Sequence, residues 1–473
     1  MKRPALFRVS PPVRNDVLRM VGPVILEQLL ISSMGIVGII LASNLGSDKV
    51  APIGLVDSLH YLFILFFTSI ASGATVIVAQ HYGRGEAAQA NEAARQAMVT
   101  SLLISVALVG MLVFTGAPLV ELLNGISSGD MAIRKGIQDY LLPSLLSYPA
   151  LAIITTGCGV LRGTGDTKTP MIITVIMSAL NAVLSALLIY GIELNIFGLR
   201  LCLPQLGVQG AALALLLSRT IGAAMISYVL IKGQRVIRFS LKSFRFLSTV
   251  QRSILSIGIP MTAESVQFQV GKIITGIIVF QCGATHMNAN IIAGSIFSLI
   301  CIPGNSFFVA VMPLVGQSVG RGDFGDAREK MLFVNWLSSL GLLATCAAML
   351  IFSGPLVSLY TKEPAVQAIA ADMLKVIGIF MPLFWSASFV LPSGLRGATD
   401  IKYTMITSIV GMWVFRVFLG YLLGIGLGLG AVGVYLGMCV DWVVRGILYY
   451  IRVRGCRWYR RAALAAAPQV EQQ

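Results

Sequence analysis

Charged residues are scarce in this sequence, and histidines are scarcer still. Only 12% of the 473 residues are charged and three are histidine, whereas a soluble domain carries about 25% charged residues. The chain is 56% hydrophobic with a mean hydropathy of +0.84. This composition excludes a soluble enzyme, a disordered protein and a fibrous protein. The few charges are also unbalanced, with 35 Lys and Arg against 20 Asp and Glu.

Other absences exclude particular kinds of site. The seven cysteines lie far apart without a CxxC pair, and no two of the three histidines have the spacing of metal ligands, so neither a zinc site nor a disulfide framework is predicted. Residues 163–169 contain the residue types of a phosphate-binding loop but not its Gly-Lys-Ser/Thr order, which argues against ATP-driven chemistry. The basic N-terminus lacks the short apolar stretch and small-residue cleavage site of a signal peptide.

Long apolar runs are what the sequence does contain. A helix needs about 20 mostly apolar residues to cross a bilayer, and these runs are too long and too uniformly apolar for barrel strands. We therefore predict an all-α polytopic membrane protein with twelve transmembrane helices. The predicted spans are 18–42, 52–80, 96–117, 138–160, 169–191, 207–231, 254–280, 289–318, 333–355, 371–394, 404–426 and 430–451.

The excess of cations follows these spans. Of the 35 Lys and Arg residues, 25 fall in the N-terminus, the even-numbered loops and the C-terminal tail, and only five fall in the odd-numbered loops. Because positive residues accumulate on the cytoplasmic side, both termini are predicted to be cytoplasmic. Cations spread over short loops beside apolar spans are typical of topology signals, so no nucleic-acid partner is expected.

The chain repeats itself at about half its length. Pro23 and Glu27, which open the first predicted span, recur as Pro260 and Glu264, and the QxxGRG segment 80–85 recurs at 317–322, both at an offset of 237. The segment 161–168 recurs at 395–402, at an offset of 234. Six spans per repeat give two parallel lobes. The predicted division is 1–231 for the first lobe, 232–252 for a basic cytoplasmic linker, 253–451 for the second lobe and 452–473 for a cytoplasmic tail.

These landmarks resemble the multidrug and toxic compound extrusion (MATE) family over nearly the whole chain. The residues that carry the resemblance are Pro23 to Glu27, Gln80 to Glu86, Leu161 to Met171, Gly258 to Glu264, Gln317 to Asp323, Leu395 to Met405, Arg416, Asp441, Arg445, Arg452 and Trp458. The resemblance implies a monomeric transporter of the cell membrane that needs no cofactor. It would export organic cations or other amphipathic compounds in exchange for protons or sodium ions.

Charged residues inside spans are the candidates for ion coupling, because a charge at membrane depth needs a partner, a cavity or a function. Glu264 is the first candidate, with Gln267 on a neighbouring helix face, and a carboxylate in a low-dielectric cleft can exchange a proton for a cation. The alternative is that Glu264 and Glu27 are equivalent structural groups that bind backbone or arginine near the helix start. For Glu27 the structural alternative is preferred.

The remaining candidates lie in other spans. Asp57 and His60 form a plausible proton-handling pair in the second span, with a satisfied structural pair as the alternative. Asp441 and Arg445 are expected to form an ion pair within the last span, for which Arg416 could compete. Lys272, in the middle of the seventh span, could neutralise Glu264 or repel cationic substrates. Arg219 in the sixth span is a further buried cation.

Two positions depart from the family pattern. Many members carry an aspartate in the first span where this chain has Gly38, and another four residues after an asparagine in the fifth span. Here Asn181 is followed at that spacing by Ser185. A proton-coupled mechanism would therefore need Asp57 or Glu264 instead.

Three alternatives to antiport remain. A flippase for lipid-linked saccharides would share the two lobes but not these loop motifs. A polytopic transferase would need clustered Asp or His at a membrane face, and no such cluster exists in the sequence. A scaffold or receptor that transports nothing is the third, given the missing aspartates. The 19 methionines and 22 phenylalanines suit a pliable apolar cleft, although they also suit lipid-facing and core positions.

Overall fold

The computed structural model describes residues 10–43, 47–115, 118, 120–121, 125, 131–196, 199–233 and 245–459, and these residues fold almost entirely into long helices. The helices of the first half are α1 (Pro11–Ser43), α2 (Ser47–Gly83), α3 (Ala87–Phe114), α4 (Met131–Leu146), α5 (Tyr148–Gly163), α6 (Lys168–Tyr190) and α7 (Gly207–Lys232). Those of the second half are α8 (Ser248–Gln281), α9 (Ala284–Ile300), α10 (Ile302–Gly320), α11 (Phe324–Ile351), α12 (Ser353–Ser358), α13 (Pro364–Gly397), α14 (Ile401–Gly426) and α15 (Gly430–Arg454).

The predicted helical membrane architecture is confirmed. Within the described residues, nine helices are long and apolar enough to cross a membrane, or ten if the bent pair α4 and α5 counts as one span. Each of the twelve predicted segments overlaps one of the helices or a consecutive pair, and twelve crossings stay a prediction. Pro23 and Pro260 do not open their helices as expected. Each lies twelve residues after the first residue of its helix. The helix extends beyond the apolar segment because its backbone amides hydrogen-bond within the helix.

One small element is not helical. Ile192–Ile196 (β1) pairs antiparallel with Leu199–Leu203 (β2), and Ile192 lies opposite Leu203. This stretch lies between the fifth and sixth predicted spans, where the sequence predicts a loop. Gly191 ends α6 in a left-handed conformation (φ 68°), and the Ile and Leu residues that follow favour an extended chain.

Prolines distort two helices at equivalent places. α4 and α5 meet at an angle of 45°, and Pro149 stands in the first turn of α5. In the second half, residues Met381–Trp385 of α13 form a π-helical turn that contains Pro382. Proline lacks the amide hydrogen and clashes with the preceding turn, so each helix must bend or widen there. The two prolines are 233 residues apart, close to the offset of the repeat.

The start of the first helix packs on the second half of the chain, although α1 also packs on α6 of the first half. Val13, Val17, Met20, Val21 and Val24 follow helical spacing and are buried in a hydrophobic cluster whose other buried members lie between Ile278 and Trp458. Smaller clusters hold α2 to α7 together. The start of α1 therefore connects the two halves by apolar packing.

The two copies of the QxxGRG segment meet at one end of the bundle. Gln80 donates its side-chain amide to the carbonyl of Gly397 at 3.0 Å, and Gln317 donates to the carbonyl of Gly163 at 2.8 Å. Donors and acceptors are both equivalent under the repeat, so these two bonds form a symmetric pair. Gly83 and Gly320 allow the approach. A Cβ on either one would lie 2.2 Å from the carbonyl oxygen of Gln317 or Gln80, respectively.

Candidate functional site

A cavity of about 730 Å³ lies between the two halves of the chain. Its wall comes from α1, α2, α5, α6 and α7 on one side and from α8, α10, α13, α14 and α15 on the other. This volume suits a drug-sized molecule. The charged side chains in the wall are Glu27, Arg162, Arg219, Glu264, Lys272, Arg396 and Arg445.

Two equivalent ion pairs lie in this wall. Glu27 of α1 binds the guanidinium of Arg162 in α5, and Glu264 of α8 binds that of Arg396 in α13, with Oε1 to Nη2 at 2.5 Å in the second pair. Thr174 also donates its hydroxyl to Glu27 Oε1 at 3.3 Å. Both glutamates are buried. Both glutamates thus bind arginine, as the structural alternative predicts. Both pairs also lie in the cavity wall, which is where a residue that couples ions to transport would have to lie.

Each of these carboxylates keeps one oxygen free. Oε2 of Glu27 and Oε2 of Glu264 are buried and accept no hydrogen bond from any described residue. A buried acceptor without a partner is costly unless water, a proton or a cation can reach it. The free oxygens are therefore the atoms at which a small cation could bind or a proton could add.

The arginine partners are absent from the sequence-based candidates. The sequence predicts that Arg162 and Arg396 lie in even-numbered loops, within the repeated segments 161–168 and 395–402, yet both contribute to the cavity wall, and Arg396 is only 7% exposed. The repeat contains a signal that could have identified them, because both the glutamates and the arginines recur at nearly the same offset. An acid and a base that are duplicated together indicate a duplicated pair.

Gln267 and Lys272 do not join Glu264. Gln267 borders neither this cavity nor the second one described below, and its amide makes no hydrogen bond to a described residue. It points about 100° away from Phe268 around α8, and Phe268 does face the cavity. Lys272 lies about 12 Å further along α8 than Glu264, because each helical residue advances the axis by about 1.5 Å. Arg396, not Lys272, neutralises Glu264.

Asp57 and His60 form part of a polar cluster beside the cavity. His60 Nδ1 lies 3.5 Å from Asp57 Oδ1, and the hydroxyl of Tyr140 donates to the same oxygen at 3.1 Å. His60 is buried and its ring meets that of Tyr148 edge-on at 5.4 Å, whereas the Asp57 side chain is 54% exposed. Neither Asp57 nor His60 borders the two cavities. The structure thus brings Asp57 and His60 together as predicted, but not in the wall of either cavity.

Asp441 and Arg445 form the expected ion pair within α15. Arg445 Nε lies 2.7 Å from Asp441 Oδ1, and both residues are almost completely buried. Gly411 of α14 leaves room for them, since a Cβ there would lie 2.4 Å from Asp441 Oδ1. Arg416 makes no ion pair with a described carboxylate. Its guanidinium instead lies 5.2 Å from the ring centroid of Phe268.

A second cavity of about 520 Å³ adjoins the first on the side of the second half. The two cavities share a wall made by Phe268, Lys272, Asn305, Trp385 and Phe389. Arg416 borders the second cavity, and among the described residues no acidic side chain does so.

Asn181 and the two unusual positions lie in the first half. Asn181 donates its amide to Ser218 at 3.2 Å, and Ser218 borders the first cavity although Asn181 does not. Ser185 is buried. Gly38 lies in α1, and its surroundings fall outside the described side chains.

Comparisons with known proteins find matches in both halves of the chain. The family model MatE matches residues 23–187 and 260–422, one match in each half. A transporter of Bacillus subtilis named "Uncharacterized transporter YisQ" is 29% identical over 93% of this chain and 94% of its own length. The "Probable multidrug resistance protein NorM" of Thermotoga maritima is 26% identical over 96% of this chain and 95% of its own length.

Solved structures share the fold. One titled "Outward-facing conformation of a multidrug resistance MATE family transporter of the MOP superfamily" has a TM-score of 0.84 at 20% identity and covers 97% of each chain. Another, titled "Crystal structure of MATE in the straight conformation", has a TM-score of 0.84 at 21% identity and also covers 97% of each chain.

Proposed function

The chain belongs to the MatE family of transporters, and from this premise we propose that it is a secondary antiporter exporting amphipathic compounds in exchange for protons or sodium ions. Multidrug resistance proteins among its relatives support this function. Organic cations are the substrate class that the family resemblance implies. The comparisons do not favour a lipid-linked saccharide flippase. The observation that carries the proposal is the cavity between the halves, whose wall holds two equivalent Glu–Arg pairs.

Transport would proceed by alternating access. The lobes 1–231 and 253–451 would rock about the cavity, and the linker 232–252 would join them. Hydrogen bonds from Gln80 and Gln317 hold one end of the bundle together, so the substrate would enter or leave at the opposite end in this state. Two weak, equivalent bonds suit a gate, because net hydrogen-bond stabilisation is only about 1 kcal/mol each. We place this closed end on the cytoplasmic side, where the basic loops are predicted.

Ion coupling would act on the Glu264–Arg396 pair. A proton or sodium ion at the free Oε2 of Glu264 would reduce the attraction of the carboxylate for Arg396. The released guanidinium would change the contacts between α8 and α13 and thereby bias the two states of the cavity. The protein would act as a monomer in the plasma membrane, with both termini in the cytoplasm.

A flux assay tests this function. Purified protein in liposomes should expel a fluorescent amphipath when an inward proton or sodium gradient is imposed, with each gradient applied separately. Glu264→Gln should abolish gradient-driven flux. The equivalent Glu27→Gln should lower stability but retain coupling, and the exposed Glu363→Gln should behave like wild type. If none of several amphipaths shows gradient-dependent flux, the antiporter proposal is refuted. Wild-type flux by Glu264→Gln would remove that residue from the mechanism.

A further inference from the structure

The charged side chains that line the two cavities are mostly positive. The first cavity has five cationic side chains and two carboxylates in its wall. Both carboxylates are already bound, Glu27 to Arg162 and Glu264 to Arg396. Arg445 is bound by Asp441. Arg219 from the first half and Lys272 from the second are left without an ion pair among the described residues, so the net charge of the wall is positive.

In the second cavity, all the charged side chains of the described residues are positive. Lys272 and Arg416 border it, and no carboxylate of the described residues does so. Asp441, the acid that interacts electrostatically with Arg416, is already bound to Arg445. Two cations near each other in a low-dielectric interior repel, and each is costly to hold there without an anion. Such a site gains free energy when an anion enters, whereas an organic cation would meet repulsion.

The internal repeat does not account for these cations. The offset of 237 that pairs Glu27 with Glu264 places Lys272 opposite Gly35, and the offset of 234 that pairs Lys168 with Lys402 places Arg416 opposite Ala182. The Glu–Arg pairs occur in both halves, as the repeat predicts. Lys272 and Arg416 are particular to the second half, which indicates a role particular to that cavity.

Aromatic rings surround the cations. The ring of Phe268 lies 5.2 Å from the guanidinium of Arg416 and 5.9 Å from that of Arg445. Phe389 lies 4.9 Å from Arg445 and stacks on Trp385 with ring centroids 4.7 Å apart. Phe268 and Lys272 are four residues apart, so they share one face of α8. A flat apolar body could therefore lie along these rings while its charged end reaches Lys272 and Arg416.

We propose that the two cavities form a binding site for amphipathic aromatic anions, with the carboxylate or sulfonate held by Lys272 and Arg416 and the ring body held by Phe268, Trp385 and Phe389. Asn305, in the shared wall, could donate its amide to the same anionic group. This inference rests on the proposed transport function. It narrows the amphipathic substrates of that function to anions, in place of the organic cations that the family resemblance implies.

Binding by two probes of opposite charge tests the proposal. Naphthylacetate and naphthylmethyl-trimethylammonium carry the same ring, and their affinities can be measured by titration calorimetry on the full protein in dodecyl maltoside. The wild type should bind the carboxylate at least roughly tenfold more tightly than the ammonium. Equal affinities, or tighter binding of the ammonium, would overturn the proposal.

Variants of Lys272 distinguish an effect of its charge on binding from an effect of misfolding. Lys272→Met should lower the affinity for naphthylacetate roughly tenfold without weakening the ammonium probe, since one charge-assisted hydrogen bond is lost. Lys272→Glu should reverse the preference, a gain that misfolding cannot produce. The matched control is Lys375→Met, because Lys375 is exposed on α13 and bound to Asp372. An unchanged preference in Lys272→Glu would remove the lysine from the site.

A lipid headgroup offers the same chemistry as a small anion. Phosphatidylglycerol added to the detergent should compete only weakly with naphthylacetate, and competition so strong that the carboxylate no longer binds would assign the site to lipid instead.

Flux in phosphatidylcholine liposomes distinguishes the two proposals of function. Export of the ammonium but not the carboxylate would refute the anion site and leave the transporter. Tight carboxylate binding without flux of either probe would support the anion site and refute transport.

Discussion

Single residues show how far the sequence could predict the site. A carboxylate or arginine stands out in an apolar run, so Glu27, Glu264 and Asp441 could be identified from the sequence. Their partners could be predicted only where they lie on the same helix. Arg445 is one turn from Asp441, whereas Arg396 is 132 residues from Glu264. The sequence therefore predicts a loop position for Arg396, although the structure buries it beside the cavity.

The ion pair in α15 gives a stability prediction. Asp441→Ala leaves the Arg445 guanidinium buried without its carboxylate, and breaking a buried pair in this way costs about 3–5 kcal/mol. The thermal unfolding midpoint in detergent should fall clearly. Asp441→Ala combined with Arg445→Met should recover part of the loss, because no buried charge is left alone.

The control for this prediction is an exposed pair. Asp372 binds Lys375 on α13 with both side chains more than half exposed, so Asp372→Ala should cost at most about 1 kcal/mol. If Asp441→Ala and Asp372→Ala unfold at the same temperature, the buried pair does not contribute to stability as argued.

At the scale of elements, the duplicated loops have a role that sequence patterns alone could not assign. The repeat identifies the copies of QxxGRG, but it does not say that each copy binds the other half. In the structure, Gln80 bonds to α13 and Gln317 bonds to α5. The glycine of each copy, Gly83 or Gly320, is required because the backbone of the other copy lies directly against it.

Gly83→Ala and Gly320→Ala should therefore open this end of the bundle. Each added methyl group would meet a backbone carbonyl at 2.2 Å, which cannot move aside like a flexible side chain. The distance between spin labels at Ala88 and Gly325, exposed and equivalent positions in the first turns of α3 and α11, should lengthen or broaden. The labels are placed in a Cys456→Ser background.

Gly110→Ala is the matched control for the gate. It is also a helical glycine, but nothing lies within 4 Å of the added Cβ, so the label distance should not change. Unchanged distances in Gly83→Ala as well would show that the contact does not hold the bundle in its present state.

At the scale of the whole molecule, the excess of positive charge has two separate causes. Most cations lie at helix ends and loops and predict the orientation of the chain. A few, including Arg162, Arg219, Lys272 and Arg396, line the first cavity. The net charge of +15 therefore combines a topology signal with a chemical property of the site.

The orientation can be tested with a native thiol. Cys456 is exposed just beyond α15, and its hydrogen bond with Tyr459 together with the Arg328 guanidinium lowers the pKa of its thiol. The thiolate, which reacts with maleimides, is thus more abundant at neutral pH than in an ordinary cysteine. In a Cys202→Ser/Cys282→Ser variant, an impermeant maleimide should label Cys456 in inside-out vesicles and not in intact cells.

The further replacement Cys456→Ser should abolish this labelling. Labelling of Cys456 in intact cells would place the C-terminus outside and reverse the proposed topology. The labelling rate in vesicles should also rise less steeply with pH above neutrality than for an unperturbed cysteine, because a thiol with a lowered pKa has a larger ionised fraction at neutral pH.

The sequence by itself determined the helical membrane architecture, the internal repeat and the family. These depend on local hydropathy, on residue spacing and on order along the chain, which folding does not alter. The tertiary structure alone decided which charges meet across different helices. Arg396 neutralises Glu264, and Lys272 also borders the second cavity, where no carboxylate of the described residues lies, because helix packing brings together residues that are far apart in sequence. Whether a buried charge is balanced or free depends on those neighbours, and so does the charge of the ligand that the cavity would accept.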